Sequence, residues 1–212
     1  MIQAQKVIRK VRFKEQDNDE IKYSDYDIIQ SLNEVLDYLA IRLSEMNSDF
    51  LEKAVVLDEK KINEQIAAEN EELPEGEEER EKVIFPVTGV DLPDDFLTLI
   101  AVKRLRDDYR LKCTQSGSRL RHDEYYIMGN KLYCRCHCVK LLYRRAIEQI
   151  AKETDTIDLP ESFLLNLAKM TSMVLHNNAQ TDVLREALDS VIDSMIIRRR
   201  YSNPRIKPPF MV

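Results

Sequence analysis

Cys134-Arg135-Cys136-His137-Cys138, with Cys113 upstream, is the densest run of side chains in this sequence that could do chemistry. Thiolates and imidazole are zinc ligands, so a metal site is conceivable. The spacing argues against it. Structural zinc sites use Cys-x2-Cys turns, whereas these cysteines recur at every second residue. Read as a strand, the run puts Cys134, Cys136 and Cys138 on one face and Arg135 and His137 on the other. Free cysteines so placed behave as small buried hydrophobes. His122, His137 and His176 lack metal-ligand spacing. No His-x-Glu is followed by a Pro-Cys-x2-Cys, which excludes the zinc deaminases.

Other chemistry is equally thin. Ser116-Gly117-Ser118 reads as a loop, and there is no Gly-x-Ser-x-Gly elbow to expose a nucleophile. Asp94-Asp95 and Asp107-Asp108 are neighbours along the chain, which suits a helix start and a loop better than a facing acid/base pair. The 4 glycines are scattered, so a glycine-rich phosphate loop is not expected. The expectation is a non-enzyme with no catalytic residue, no cofactor and no metal.

The elements that would position these residues alternate in type. Ser24 and Asp27 form a variant capping box ahead of Ile28, Leu32, Val35, Leu36, Leu39 and Leu43, which predicts an amphipathic helix over 24–46. Lys53 to Asp58 suits a short strand, in a run too brief to exclude helix. Residues 62–82 are highly charged with few large apolar side chains, which predicts a mobile acidic loop. Glu124 to Cys136 reads as two strands joined at Gly129-Asn130, a pair that tolerates the positive φ of a tight hairpin. Val139, Leu141 and Tyr143 alternate as another strand. Phe163 to Leu175 carry helical spacing, and Val183, Leu184, Ala187, Leu188, Val191, Met195 and Ile196 predict the buried side of a last helix. Pro204, Pro208 and Pro209 force an extended tail.

A nearly repeated phrase brackets the strands: Asp91-Leu92-Pro93-Asp94-Asp95-Phe96 and Asp158-Leu159-Pro160-Glu161-Ser162-Phe163. A proline followed by acids suits a first helical turn, so both copies predict a helix start where a sheet is spliced into a helical body.

Charge is unevenly spread. The net charge is −6, yet residues 69–81 hold eight glutamates against one arginine. Both ends are basic, through Lys6, Arg9, Lys10, Arg12 and Lys14 and through Arg198, Arg199, Arg200, Arg205 and Lys207. Charged residues make up 33% of the chain, and its apolar runs fall far short of the ~18 residues of a membrane span. The N-terminus lacks the apolar core of a secretory signal. The expectation is therefore a soluble protein with reduced thiols and no membrane partner.

Five segments in order carry a resemblance: Tyr23 to Ile29 leading into Leu32-Asn33-Glu34; Asp91 to Phe96; Tyr126 to Leu132; Val139 to Tyr143; and Asp155 to Phe163. Together they resemble the head-to-tail adaptor (connector, or neck ring) proteins of short-tailed bacteriophages. The resemblance implies a virion protein, made in the host cytoplasm and sited in the neck between capsid and tail. Subunits would form a ring, a dodecamer in that family, that extends the DNA channel below the portal. Implied partners are the portal protein, tail or further neck proteins, other copies of itself, and genomic DNA in transient non-specific contact. A portal-docking arm would comprise Arg198, Arg199, Arg200, Arg205, Lys207 and Phe210, and Gly129 and Asn130 at the sheet tip would meet a tail partner.

The expected fold is mainly α: a helical bundle with a small inserted antiparallel β-sheet and an extended C-terminal arm. Residues 1–61 would supply a basic arm and the first helix, 62–82 the acidic loop, and 83–157 the β-rich insertion. Residues 158–200 would form the C-terminal helices and 201–212 the arm. The competing reading is a helical nucleic-acid-binding regulator with basic terminal arms.

Overall fold

A computed structural model describes residues 1–17, 19, 21–74, 78–115, 119–176 and 182–202. The chain divides into two units, Met1–Phe50 with Ile147–Val212, and Leu51–Ala146.

The first unit is helical. α1 (Ala4–Glu15) and α2 (Asp25–Glu45) come from the N-terminal end, α4 (Leu164–His176) and α5 (Asp182–Ser202) from the C-terminal end. Ser24 caps α2: its hydroxyl accepts from the Asp27 N–H while the Asp27 carboxylate accepts from the Ser24 N–H. Ile28, Leu32, Leu36, Leu39 and Leu43 then fall on one side and are fully buried, as helical spacing requires. Val7, Ile8 and Val11 of α1, Leu167 and Met170 of α4, and Leu184, Leu188 and Ile192 of α5 are buried as well. The two chain ends are also joined by a two-residue ladder, β1 (Ile2–Gln3) antiparallel to β9 (Thr156–Ile157).

The second unit holds two sheets. In the first, β8 (Cys138–Arg145) lies between β2 (Glu52–Asp58) and β4 (Phe96–Arg104). In the second the order is β3 (Val90–Asp91), β7 (Lys131–Cys134), β6 (Glu124–Met128) and β5 (Lys112–Cys113). The β5–β6 pair is parallel, so the insertion is not purely antiparallel. Leu57, Val102, Val139, Leu141 and Tyr143 from one sheet and Val90, Tyr125, Leu132 and Cys134 from the other share one core with Phe85.

Several expectations need correction. The fold is mixed α/β rather than mainly α, at 43% helix and 23% strand, with five helices and three sheets among the described residues. The strand expected at Lys53 to Asp58 is β2, and it belongs to a sheet unit that runs from Leu51 to Ala146 and not to the N-terminal segment. The N-terminal arm is helix α1. The acidic 62–82 segment is not all loop, since α3 spans Glu59–Glu71. The first proline phrase starts no helix: Phe96 opens the nine-residue strand β4. In α5, Val183 is 75% exposed and the buried side falls to Leu184, Leu188, Val191 and Ile192.

Both copies of the phrase nevertheless make the same turn. The Phe96 N–H donates to the Pro93 carbonyl and the Phe163 N–H to the Pro160 carbonyl, each at 2.9 Å. The side chains after the turn decide the outcome. Thr98, Ile100 and Val102 favour a strand after the first copy, while Leu164, Leu165, Leu167 and Met170 favour a helix after the second.

Candidate functional site

The three closely spaced cysteines do not share a strand. Cys134 ends β7, Cys138 starts β8, and Arg135 to His137 form the turn between them. The Cys134 thiol donates to the Cys136 carbonyl at 3.3 Å and the Cys136 thiol to the His122 carbonyl at 3.5 Å. Burial pushes the Cys134 thiol up to about 12 and raises those of Cys136 and Cys138. Such groups resist becoming the thiolates that a metal or an electrophile needs. His137 Nδ1 instead lies 3.2 Å from Glu59 Oε1, and the other Glu59 oxygen accepts from the Phe85 N–H at 3.0 Å. Among the described residues no group of three or more His, Cys, Asp or Glu comes together as a metal site.

The expected sheet tip is a hairpin turn. Met128 pairs with Lys131 around Gly129 and Asn130, and Gly129 takes φ 60°. Met128, Gly129 and Asn130 are exposed, but the Asn130 carbonyl accepts from the Leu92 N–H at 2.9 Å. The tip is thus tied to the first proline phrase. Next along that phrase, Asp95 accepts from the Tyr143 hydroxyl and from Lys53 Nζ, both at 2.7 Å, and its carbonyl accepts from the Ala146 N–H. Burial opposes ionisation of Asp95, yet the bonds from Lys53 and Tyr143 outweigh it and hold the carboxyl below its usual range. The cluster locks the start of β4 to β2 and β8.

The N-terminal basic residues divide by role. Arg12 is buried, with Nη1 donating to Asp17 at 3.1 Å and Nη2 to Asp25 at 2.5 Å, so it joins α1 to the start of α2. Lys6 is held 2.6 Å from Glu161. Arg9, Lys10, Phe13 and Lys14 lie on the exposed face of α1, opposite buried Val7, Ile8 and Val11.

The acidic segment is built in a way that its composition conceals. Two asparagines seven residues apart on α3 act as artificial strand partners for the returning chain. Asn63 donates to the Val83 carbonyl at 2.8 Å and accepts from the Val83 N–H at 2.7 Å. Asn70 does the same with Arg80, both at 2.9 Å, and Arg80 Nη1 reaches Glu69 at 2.6 Å. Side-chain amides thereby satisfy backbone groups that a loop would leave to water. Between helix and return lies an open cleft of about 430 Å³ with Ile66, Ala67, Glu71 and Glu79 in its lining. The only sequence signal for it is the Asn63/Asn70 spacing, two helical turns apart on one face.

Of the proposed arm, Arg198, Arg199 and Arg200 lie on the backbone of α5, which continues to Ser202, so residues 201–202 are helical rather than extended. Arg205, Lys207 and Phe210 lie outside the described residues. No helix among the described residues is long and apolar enough to cross a membrane. No protein-family model matches the chain, and a search of curated proteins finds no match.

Proposed function

We propose that the chain is a structural virion protein that forms a ring between the portal vertex and the tail of a short-tailed bacteriophage. The ring extends the DNA channel, and the C-terminal segment from Arg198 docks on the portal. The observation that carries this reading is where the five resembling segments fall. Tyr23 to Ile29 contains the cap of α2, Asp91 to Phe96 the turn before β4, and Tyr126 to Leu132 the β6–β7 hairpin. Val139 to Tyr143 is the centre of β8, and Asp155 to Phe163 carries β9 and the turn before α4. The first and last fall in the helical unit drawn from both chain ends, and the other three in the sheet unit inserted between them.

In this reading the helical unit builds the ring and the Gly129-Asn130 tip meets the tail. Electron microscopy of the chain mixed with portal and tail proteins tests it. Replacing Gly129 and Asn130 should abolish tail attachment and leave the ring on the portal intact. Loss of the ring by the same change would contradict that division.

The second reading, a nucleic-acid-binding regulator, draws support from the exposed Arg9, Lys10 and Lys14 on α1. It requires affinity for duplex DNA that falls steeply with salt.

A further inference from the structure

The outer face of α1 has an unusual composition for solvent. Phe13 is 73% exposed, Arg9 and Lys10 neighbour it one helical turn back, and Lys14 lies one turn on from Lys10. Among the described residues these three cations have no ion-pair partner, unlike Lys6, which is held by Glu161. A phosphate backbone would satisfy the cations but offers nothing to Phe13.

The same chain carries a complementary surface. The cleft between α3 and the returning chain is lined by two apolar side chains, Ile66 and Ala67, among Asn63, Asn70, Glu71 and Glu79. Lys82 lines it as well. At about 430 Å³ it is open and roomy. Its walls are pre-set by the Asn63–Val83 and Asn70–Arg80 pairs, so occupation need not first order a loop.

We propose that α1 of one copy docks in the α3 cleft of a neighbouring copy, with Phe13 against Ile66 and Ala67 and Lys10 and Lys14 toward Glu71 and Glu79. The contact joins two different faces, so repetition generates a ring or a filament rather than a closed two-fold dimer. This rests on the ring reading above and names the surfaces that build the ring.

The test places a photo-crosslinking phenylalanine analogue at position 13 of the full chain. Isotopically heavy and light chains are mixed at high concentration and low salt, with and without portal protein. Heavy-to-light cross-links into residues 63–82 are expected. In parallel, Lys10→Glu with Lys14→Glu, or Glu71→Lys with Glu79→Lys, should each weaken self-association by about tenfold, and a chain carrying all four should recover it. These side chains are exposed, so the fold should be unaffected. Rings whose cross-links map elsewhere would overturn the docking and leave the ring reading standing. Absence of any intermolecular cross-link, with sedimentation showing monomer even beside portal, would remove both. If the Lys10→Glu, Lys14→Glu chain loses DNA retention but self-associates normally, the stripe binds phosphate and the docking is wrong.

Discussion

Asn33 is a buried polar residue amid the apolar face of α2, at 8% exposure. Its amide donates to the Ile150 carbonyl and its oxygen accepts from the Ile150 N–H, both at 2.9 Å. That pair of bonds fixes the chain where it re-enters the helical unit after the sheet unit. Asn33→Ala removes both bonds and leaves an N–H and a carbonyl of Ile150, itself 4% exposed, without partners. Each orphaned buried group costs about 1–3 kcal/mol. Water entering the vacated volume restores part of this, so the expected loss is about 2–3 kcal/mol. Urea unfolding followed by far-UV circular dichroism measures it. With a slope of about 1–3 kcal/mol per molar, the midpoint should fall by about 0.7–3 M. Gln30→Ala, on the exposed side of the same helix, should stay within about 0.5 kcal/mol of wild type. An Asn33→Ala loss below about 0.5 kcal/mol would refute the reasoning, because the amide would then be dispensable to the re-entry.

Thiol labelling of the native protein should modify exposed Cys113 first and leave Cys134 untouched until unfolding, as read by peptide mass spectrometry; early labelling of Cys134 would contradict its buried placement. Gly89→Ala should destabilise more than Gly129→Ala. Both glycines have positive φ, which penalises a side chain by about 1–2 kcal/mol, but a Cβ at Gly89 would also lie 2.8 Å from the Tyr133 ring, while one at Gly129 meets nothing within 4 Å. Thermal melting across pH should show a plateau that collapses in acid. Asp17 is held below its usual range first by the Lys22 N–H, Asp27 by the Ser24 hydroxyl and Asp155 by the Lys152 N–H. Each native carboxylate binds protons less readily than its unfolded counterpart. The stability it contributes is complete above about pH 4 and is lost as pH falls through the lowered native values. A Tm that holds steady to well below pH 4 would contradict these assignments.

Legibility in the sequence tracks how local each instruction is. The capping box at Ser24, the apolar spacing of α2 and the Gly129-Asn130 hairpin are set by neighbouring residues, and all three are readable. The turn at each proline phrase is readable too, but the element after it depends on the next several side chains. The phrase alone therefore predicts a helix where Phe96 begins a strand. Composition misleads in the acidic segment, where apolar burial is sparse. Order there comes from the Asn63 and Asn70 amides pairing with backbone 10 to 20 residues away, which periodicity does not register. Arg12 reads as part of a basic arm, although its charge is consumed by Asp17 and Asp25. The alternating cysteines resemble one strand, but the turn at Arg135 to His137 divides them between β7 and β8. Nothing in their spacing marks that turn.

The central claim is portal attachment through the C-terminal segment. Its most direct test is a pull-down from a lysate containing all the virion proteins, with the full chain compared to one ending at Ile197. Among the described side chains of α5, the buried ones are Leu184, Leu188, Val191 and Ile192, and all four precede that cut, so their packing is retained. Portal protein recovered by the full chain and lost with the truncation is the predicted result. Recovery of salt-sensitive DNA by the full chain, with no portal on either bait, would contradict the account.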